Sequence, residues 1–180
     1  MDYLIRSVRA DEWRRLKELR LAALADPLAG IAFNQTWETA SALPDEEWRE
    51  RARRSAVGRE IVTFIGEDGG GCWGGMVTAL VEGGGVGPAG VGPAVDIVGV
   101  YVRPEHRGTG MAQGLFEAAM AWAWGATAPV VECVRLWVHE ENGRAAGLYR
   151  ALGFVASGRT MADPKDAAAR EVEMVVRRAA

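Results

Sequence analysis

The sequence predicts an α/β fold, on three observations. A β-branched run over residues 96–102 passes through a turn at Pro104 and a glycine-rich loop into an apolar-periodic helix. A second strand-like run, 134–138, leads into another helical stretch over 143–152. Around these units further strand-like and helical segments give the order β-α-α-β-β-β-α-β-α-β-β.

Residues 3–8 alternate as a first strand. Asp11 is the expected N-cap of a helix to about Ala25, whose apolar content comes from Trp13, Leu16, Leu19, Leu21 and Leu24. Asp26-Pro27 ends it, because the residue before proline is pushed out of the helical region. A loop over 28–43 carries Phe33 and Trp37. Pro44 then opens a second helix, with Asp45, Glu46 and Glu47 where the dipole favours acid and Arg51, Arg53 and Arg54 toward the other end.

Residues 60–66 and 72–81 read as strands joined by the Asp68-Gly69-Gly70 turn. The low-complexity Gly/Pro-rich run in 83–94 is expected to be a flexible loop between strands, and not a domain boundary, since neither side could close a core alone. Residues 155–159 and 171–176 are the last candidate strands. The chain, 1–180, is read as one domain.

Bulk properties narrow the function. A net charge of −3 without a long basic run argues against a nucleic-acid surface. Cys72 and Cys133 both fall in strand-like stretches and are expected to be buried free thiols. With His106 and His139 the only histidines, no metal site is expected. The N-terminus lacks a basic region followed by an apolar core, and the apolar stretch 118–131 is broken by Gly125 and Pro129. Cytoplasmic residence and no membrane partner are the expectations, with a homodimer left open.

The chemistry concentrates at the first motif. Gly108 and Gly110 allow a tight turn and close approach to a ligand. The helix that follows offers unpaired N–H groups and a positive dipole end, and Arg107 adds a cation able to pair with phosphate. A phosphorylated ligand is expected here.

Arg107-x-x-Gly110-x-Ala112 resembles the Arg/Gln-x-x-Gly-x-Gly/Ala signature of the GNAT superfamily, the Gcn5-related N-acetyltransferases. Asn142, Ala145, Leu148-Tyr149 and Leu152-Gly153-Phe154 resemble that family's closing motif. The match is specific over 95–154 and general in layout elsewhere. The segment from Arg170 to Met174, with the stretch 98–105, resembles bacterial members acting on small molecules.

The resemblance implies a mixed central sheet of six to seven strands flanked by about four helices. The sheet would splay between its fourth and fifth strands, here 96–102 and 134–138, around an acyl-coenzyme A arm. It further implies transfer of an acetyl group from acetyl-CoA to a primary amine of a small molecule or peptide, by direct attack in a ternary complex and without a metal. Donor contacts would come from Val100, Val102, Arg107, Gly108, Thr109, Gly110, Met111, Ala112, Gln113, Asn142, Ala145 and Tyr149. Asn142 would also cap its helix.

Tyr149 takes the place of the family's general acid, and Asp96 lies where histone-type members carry a glutamate base. Asp is one methylene shorter, so a bridging water would be needed. His139, Glu140 and Glu141 are alternative bases, and the sequence does not choose among them. Phe33, Trp37 and Glu38, with His139, are the expected acceptor wall.

Two other readings compete. Gly108-x-Gly110-x-x-x-Gly114 also suits a dinucleotide fold. Against it, Glu140 lies far beyond the roughly 20 residues usual for the ribose-binding acid, and the remaining chain is too short for the other half of such a sheet. A non-catalytic acyl-CoA-binding module is the other, opposed by the retained Tyr149.

Overall fold

The computed structural model describes residues 3–81, 93–126 and 130–178. The chain runs β1 (Leu4–Ser7), α1 (Trp13–Leu24), two short helices α2 (Ala29–Ala32) and α3 (Trp37–Ser41), then α4 (Asp45–Val57). There follow β2 (Ile61–Glu67), β3 (Trp73–Val81), β4 (Ala94–Val102), α5 (Met111–Gly125), β5 (Cys133–His139), α6 (Gly143–Ala151), β6 (Val155–Ala162) and β7 (Arg170–Arg177). The strands form one sheet in the order β1-β2-β3-β4-β5-β7-β6. Among the described residues only β4 and β5 pair in parallel. The expected mixed α/β architecture is the one observed.

Each face of the sheet carries its own core. Along β2 the side chains alternate: Val62 and Phe64 join the α5 side, while Ile65 joins the α1 and α4 side. On α5 the buried residues Met111, Leu115, Phe116, Ala119 and Ala123 recur at helical spacing and form one stripe. Full burial of side chains the size of Leu115 or Phe116 contributes about 1.5–3 kcal/mol each. The opposite core gathers Trp13, Leu16, Leu19, Trp48, Ala52, Trp73 and Met76.

Several sequence expectations shift. Asp11 is not a helix cap: residues 10–12 form a 3-10 turn ahead of α1, Glu12 stands at the N-cap of α1 without a side-chain capping bond, and its carboxylate accepts from the Arg9 N–H and the Arg6 guanidinium instead. The stretch read as a loop over 28–43 holds α2 and α3, each too short to show a clear 3.6-residue period. Cys72 is exposed in the turn before β3, where Asp68 accepts from its backbone N–H, whereas Cys133 is buried at the start of β5. Of the segment expected to be flexible, residues 83–92 lie outside those described, and Ala94 already belongs to β4.

One close approach seats the loop before α5. A Cβ on Gly74 of β3 would lie 2.6 Å from both His106 and Met111, so glycine lets this segment settle onto the sheet. The Gly74 carbonyl accepts from the Arg103 N–H at 2.8 Å, and the Trp73 carbonyl from Arg103 Nε at 2.9 Å.

Candidate active site

The parallel pair β4 and β5 stays together for only three registered positions, Ala94 with Cys133, Val95 with Val134 and Asp96 with Arg135. Beyond these the strands part. A bulge opposite Val77 adds a residue to β4 around Gly99 and Val100, which bends the strand and turns backbone groups out of the ladder. Meanwhile β5 stays paired with β7 along its whole length. The facing edges of 97–102 and 136–139 therefore bound an open, polar-rimmed wedge, a cleft of about 870 Å³. Its size is that of a small-molecule site.

One end of the cleft is formed by the start of α5. Gly108 and Gly110 have φ of 77° and 90°, a region that side chains oppose, and a Cβ on either would meet nothing within 4 Å. Gly110 is the N-cap and supplies no side-chain acceptor, so the first-turn N–H groups of α5 face the opening. Thr109 is pinned from behind: its hydroxyl donates to the His106 carbonyl at 2.6 Å and accepts from Tyr3 Oη at 2.9 Å. Backbone donors and a helix dipole thus converge on a space suited to a diphosphate.

Val100, Val102, Gly108, Gly110, Ala112 and Gln113 line the cleft. The side chains of Thr109 and Met111 do not. Met111 is buried in the α5 core, so only its backbone can serve the site. Arg107 also lines the cleft, with its guanidinium held by protein groups. Its Nε donates to the Val102 carbonyl at 2.9 Å and its Nη2 to Asp26 Oδ2 at 2.5 Å, so its charge is already matched. Arg144, exposed in the first turn of α6, lines the cleft as well. Nothing in its sequence spacing marked it.

Across the cleft, α6 presents Asn142, Ala145, Leu148 and Tyr149. Asn142 is the N-cap, its side-chain oxygen accepting from the Ala145 N–H at 3.2 Å. Tyr149 falls two turns later on the same face, packed against Phe116 at 5.5 Å and Phe154 at 6.2 Å between ring centroids. Burial pushes its phenol up to about 12, so it is a proton carrier throughout the neutral range.

Asp96 sits at the vertex of the wedge, in the cleft wall, but it is not the free carboxylate expected of a base. Arg135 grips it in a fork, with Nε to Oδ1 and Nη2 to Oδ2 at 3.0 Å. His139 is buried in the same wall, yet its Nδ1 accepts from the Glu141 N–H at 3.2 Å and its Nε2 faces Asp163 Oδ2 at 3.8 Å. That bond engages Nδ1 with the protein backbone and leaves Nε2 toward Asp163. Glu140 binds the Arg170 N–H at 2.8 Å, and neither it nor Glu141 lines the cleft.

Glu171, which the sequence did not single out, lines the cleft opposite β4 and is buried. Its carboxyl is pushed above the usual range by burial first and by the nearby Asp163 charge second. The signal available beforehand was only an acid opening a strand.

The other end of the cleft is roofed by the α1–α2 region, with Leu28, Ile31, Phe33, Asn34 and Gln35, and by Arg20 from α1. Phe33 thus lines the cleft. Trp37 and Glu38, which begin α3, are not among the lining residues, and Trp37 is 45% exposed. Lys165 ties the roof down by donating to the Gly30 carbonyl and, at 2.7 Å, to that of Phe33.

Residues 12–154 match the model of the acetyltransferase (GNAT) family. No curated protein shows significant sequence similarity to the chain. Among solved structures, an acetyltransferase of the GNAT family from Streptococcus pneumoniae superposes with a TM-score of 0.74 at 18% identity, covering 98% of this chain and 100% of that one. The PaiA N-acetyltransferase of Thermoplasma acidophilum, solved with coenzyme A, gives 0.72 at 16% identity over 99% and 100%. Arabidopsis thaliana NAA60, solved with a bisubstrate analogue, gives 0.69 at 19% over 98% of each chain. At such identities these structures establish the fold, while the family model covers most of the sequence. The chain belongs to the GNAT family of acetyltransferases.

Proposed function

We propose that the protein transfers an acetyl group from acetyl-CoA to a primary amine by direct attack in a ternary complex. The observation that carries this reading is the wedge between β4 and β5, which runs from the open N–H groups at the start of α5 to Tyr149 and on to a separate roofed chamber. The diphosphate of the donor fits the α5 start, with Arg144 as its side-chain cation. Its amide-bearing arm pairs with the free edges of β4 and β5 as an added strand would.

An alkyl ammonium has a pKa of about 10.4 and must lose its proton before it can attack. Glu171, buried in the acceptor wall, is the residue we assign to accept that proton, directly or through a water. Attack of the nitrogen lone pair on the thioester carbon forms the C–N bond and a transient oxyanion, for which a backbone N–H near Val100–Val102 is the donor. The C–S bond then breaks, the sulfur takes the Tyr149 proton, and the nitrogen gives up its second proton to restore the phenol.

Against a reference thiol near 8.5, a phenol at about 12 donates uphill by about 5 kcal/mol. The same apolar packing raises the affinity of the leaving sulfur for a proton, which narrows that gap.

The test is steady thiol release from acetyl-CoA across amines, amino acids and short peptides, with Tyr149→Phe as control. Release that depends on both acceptor and Tyr149 supports transfer. Acetyl-CoA binding without release for any acceptor would leave a binding module.

A further inference from the structure

The acceptor chamber contains a guanidinium without a counter-charge among the described residues. Arg20 reaches from α1 into the cleft wall and stacks over the Phe33 ring, with Cζ 4.6 Å from the centroid. Its Nε and Nη2 share the single oxygen of the Gln35 amide at 3.3 and 3.2 Å. Its Nη1 is buried and has no hydrogen-bond partner among the described residues. That nitrogen rests against the β4 bulge, 3.8 Å from where a Cβ of Gly99 would stand.

The contrast with its neighbours is informative. Arg107 is matched by Asp26 and Arg135 by Asp96. Among the described residues no acid pairs with Arg20: burial lowers its pKa to about 10, and the Arg51 charge adds to the effect. It remains a cation at neutral pH. Its bonds to Gln35 exceed the roughly 2.7–2.9 Å of charge-assisted ones, so a neutral oxygen holds a fork shaped for a carboxylate.

We propose that Arg20 receives the carboxylate of the acceptor, which is therefore a free amino acid rather than a plain amine or a chain N-terminus. This rests on the acetyl-transfer reading. Glu171 lines the same cleft and offers the opposite charge for the ammonium group, while Leu28, Ile31 and Met161 supply apolar wall. A peptide N-terminal residue brings its carboxyl as an uncharged amide, and a polyamine brings only positive charge. Neither satisfies the Arg20 fork.

The experiment compares leucine, methionine and phenylalanine with their amides, with the matching decarboxylated amines and with O-phosphoethanolamine, in thiol release by the full chain. Free amino acids are expected to exceed amides in kcat/KM by about tenfold or more. That preference should collapse in Arg20→Gln and survive in part in Arg20→Lys. Equal use of amides, preference for the phosphate compound, or a carboxylate preference untouched by Arg20→Gln would overturn the assignment.

A binding arm separates the two levels of the argument. N-acetylleucine and its amide are titrated by calorimetry into the CoA-loaded protein. Arg20-dependent binding of the acid without turnover of any amine would uphold the subsite and sink the acetyl-transfer reading. Turnover without carboxylate discrimination does the reverse. Should Arg20→Gln fail to fold, Gln35→Ala clears the fork and leaves the charge: tighter N-acetylleucine binding is then expected, and weaker binding counts against the assignment.

Discussion

Arg107 and Asp26 meet across the cleft mouth, Nη2 to Oδ2 at 2.5 Å, with the aspartate side chain only 6% exposed. The other oxygen of Asp26 accepts from the Leu28 N–H at 2.9 Å. One carboxylate thus fastens the roof of the acceptor chamber to the loop that opens α5. Arg107→Ala leaves that buried carboxylate without its cation and should cost roughly 1–3 kcal/mol of stability by denaturant unfolding. Donor and acceptor KM should rise together. A rise confined to the donor would mean that Arg107 serves phosphate after all.

Ala112 gives a test with opposite signs. It lies in the first turn of α5 and lines the cleft. Ala112→Glu places an acid where the helix dipole welcomes it, so the free protein should gain about 0.3–1 kcal/mol. The same charge would repel a diphosphate. The melting temperature without ligand should rise slightly while the shift produced by acetyl-CoA disappears. An undiminished ligand shift would place the diphosphate elsewhere.

Tyr149 makes a prediction about alkali as well as about rate. Its phenol is raised by burial to about 12 in the folded chain, against about 10 when unfolded. The unfolded state therefore releases this proton first, and stability present in full below pH 10 drains away as pH climbs toward 12. The loss amounts to up to about 2.7 kcal/mol, and Tyr149→Phe should be spared it. At neutral pH the same variant should lower kcat by about a hundredfold while scarcely altering acetyl-CoA binding.

Glu171 and Asp96 should part company. Glu171→Gln is expected to slow turnover at neutral pH by about tenfold or more and to recover as pH approaches the pKa of the amine. Asp96→Asn breaks the fork with Arg135 and should chiefly cost stability, up to about 3 kcal/mol. A pH-rescued Asp96→Asn beside a normal Glu171→Gln would return the base to the vertex of the wedge.

What the sequence revealed and what it hid divide along the chain. The strand, glycine pair and helix around Arg107 were legible because φ constraints and helix ends are local. So were Asn142 and Tyr149, fixed two turns apart on one helix. The partners of Arg107 and Asp96 were not, since Asp26 and Arg135 approach only through tertiary folding. Glu171 and Arg20 were hidden for the same reason: one opens an ordinary strand and the other sits in an ordinary amphipathic helix. Trp37 and Glu38 misled because they begin α3 and are not among the residues lining the chamber that Phe33 enters.

The central claim is that the wedge between β4 and β5 holds acetyl-CoA with its diphosphate on the start of α5. Amide hydrogen exchange with and without acetyl-CoA tests it at the backbone groups concerned. The account predicts new protection at residues 108–113 and along the facing edges of 97–102 and 136–139, with little change in β1 and β2. Binding of acetyl-CoA that leaves those amides exchanging as before would contradict it.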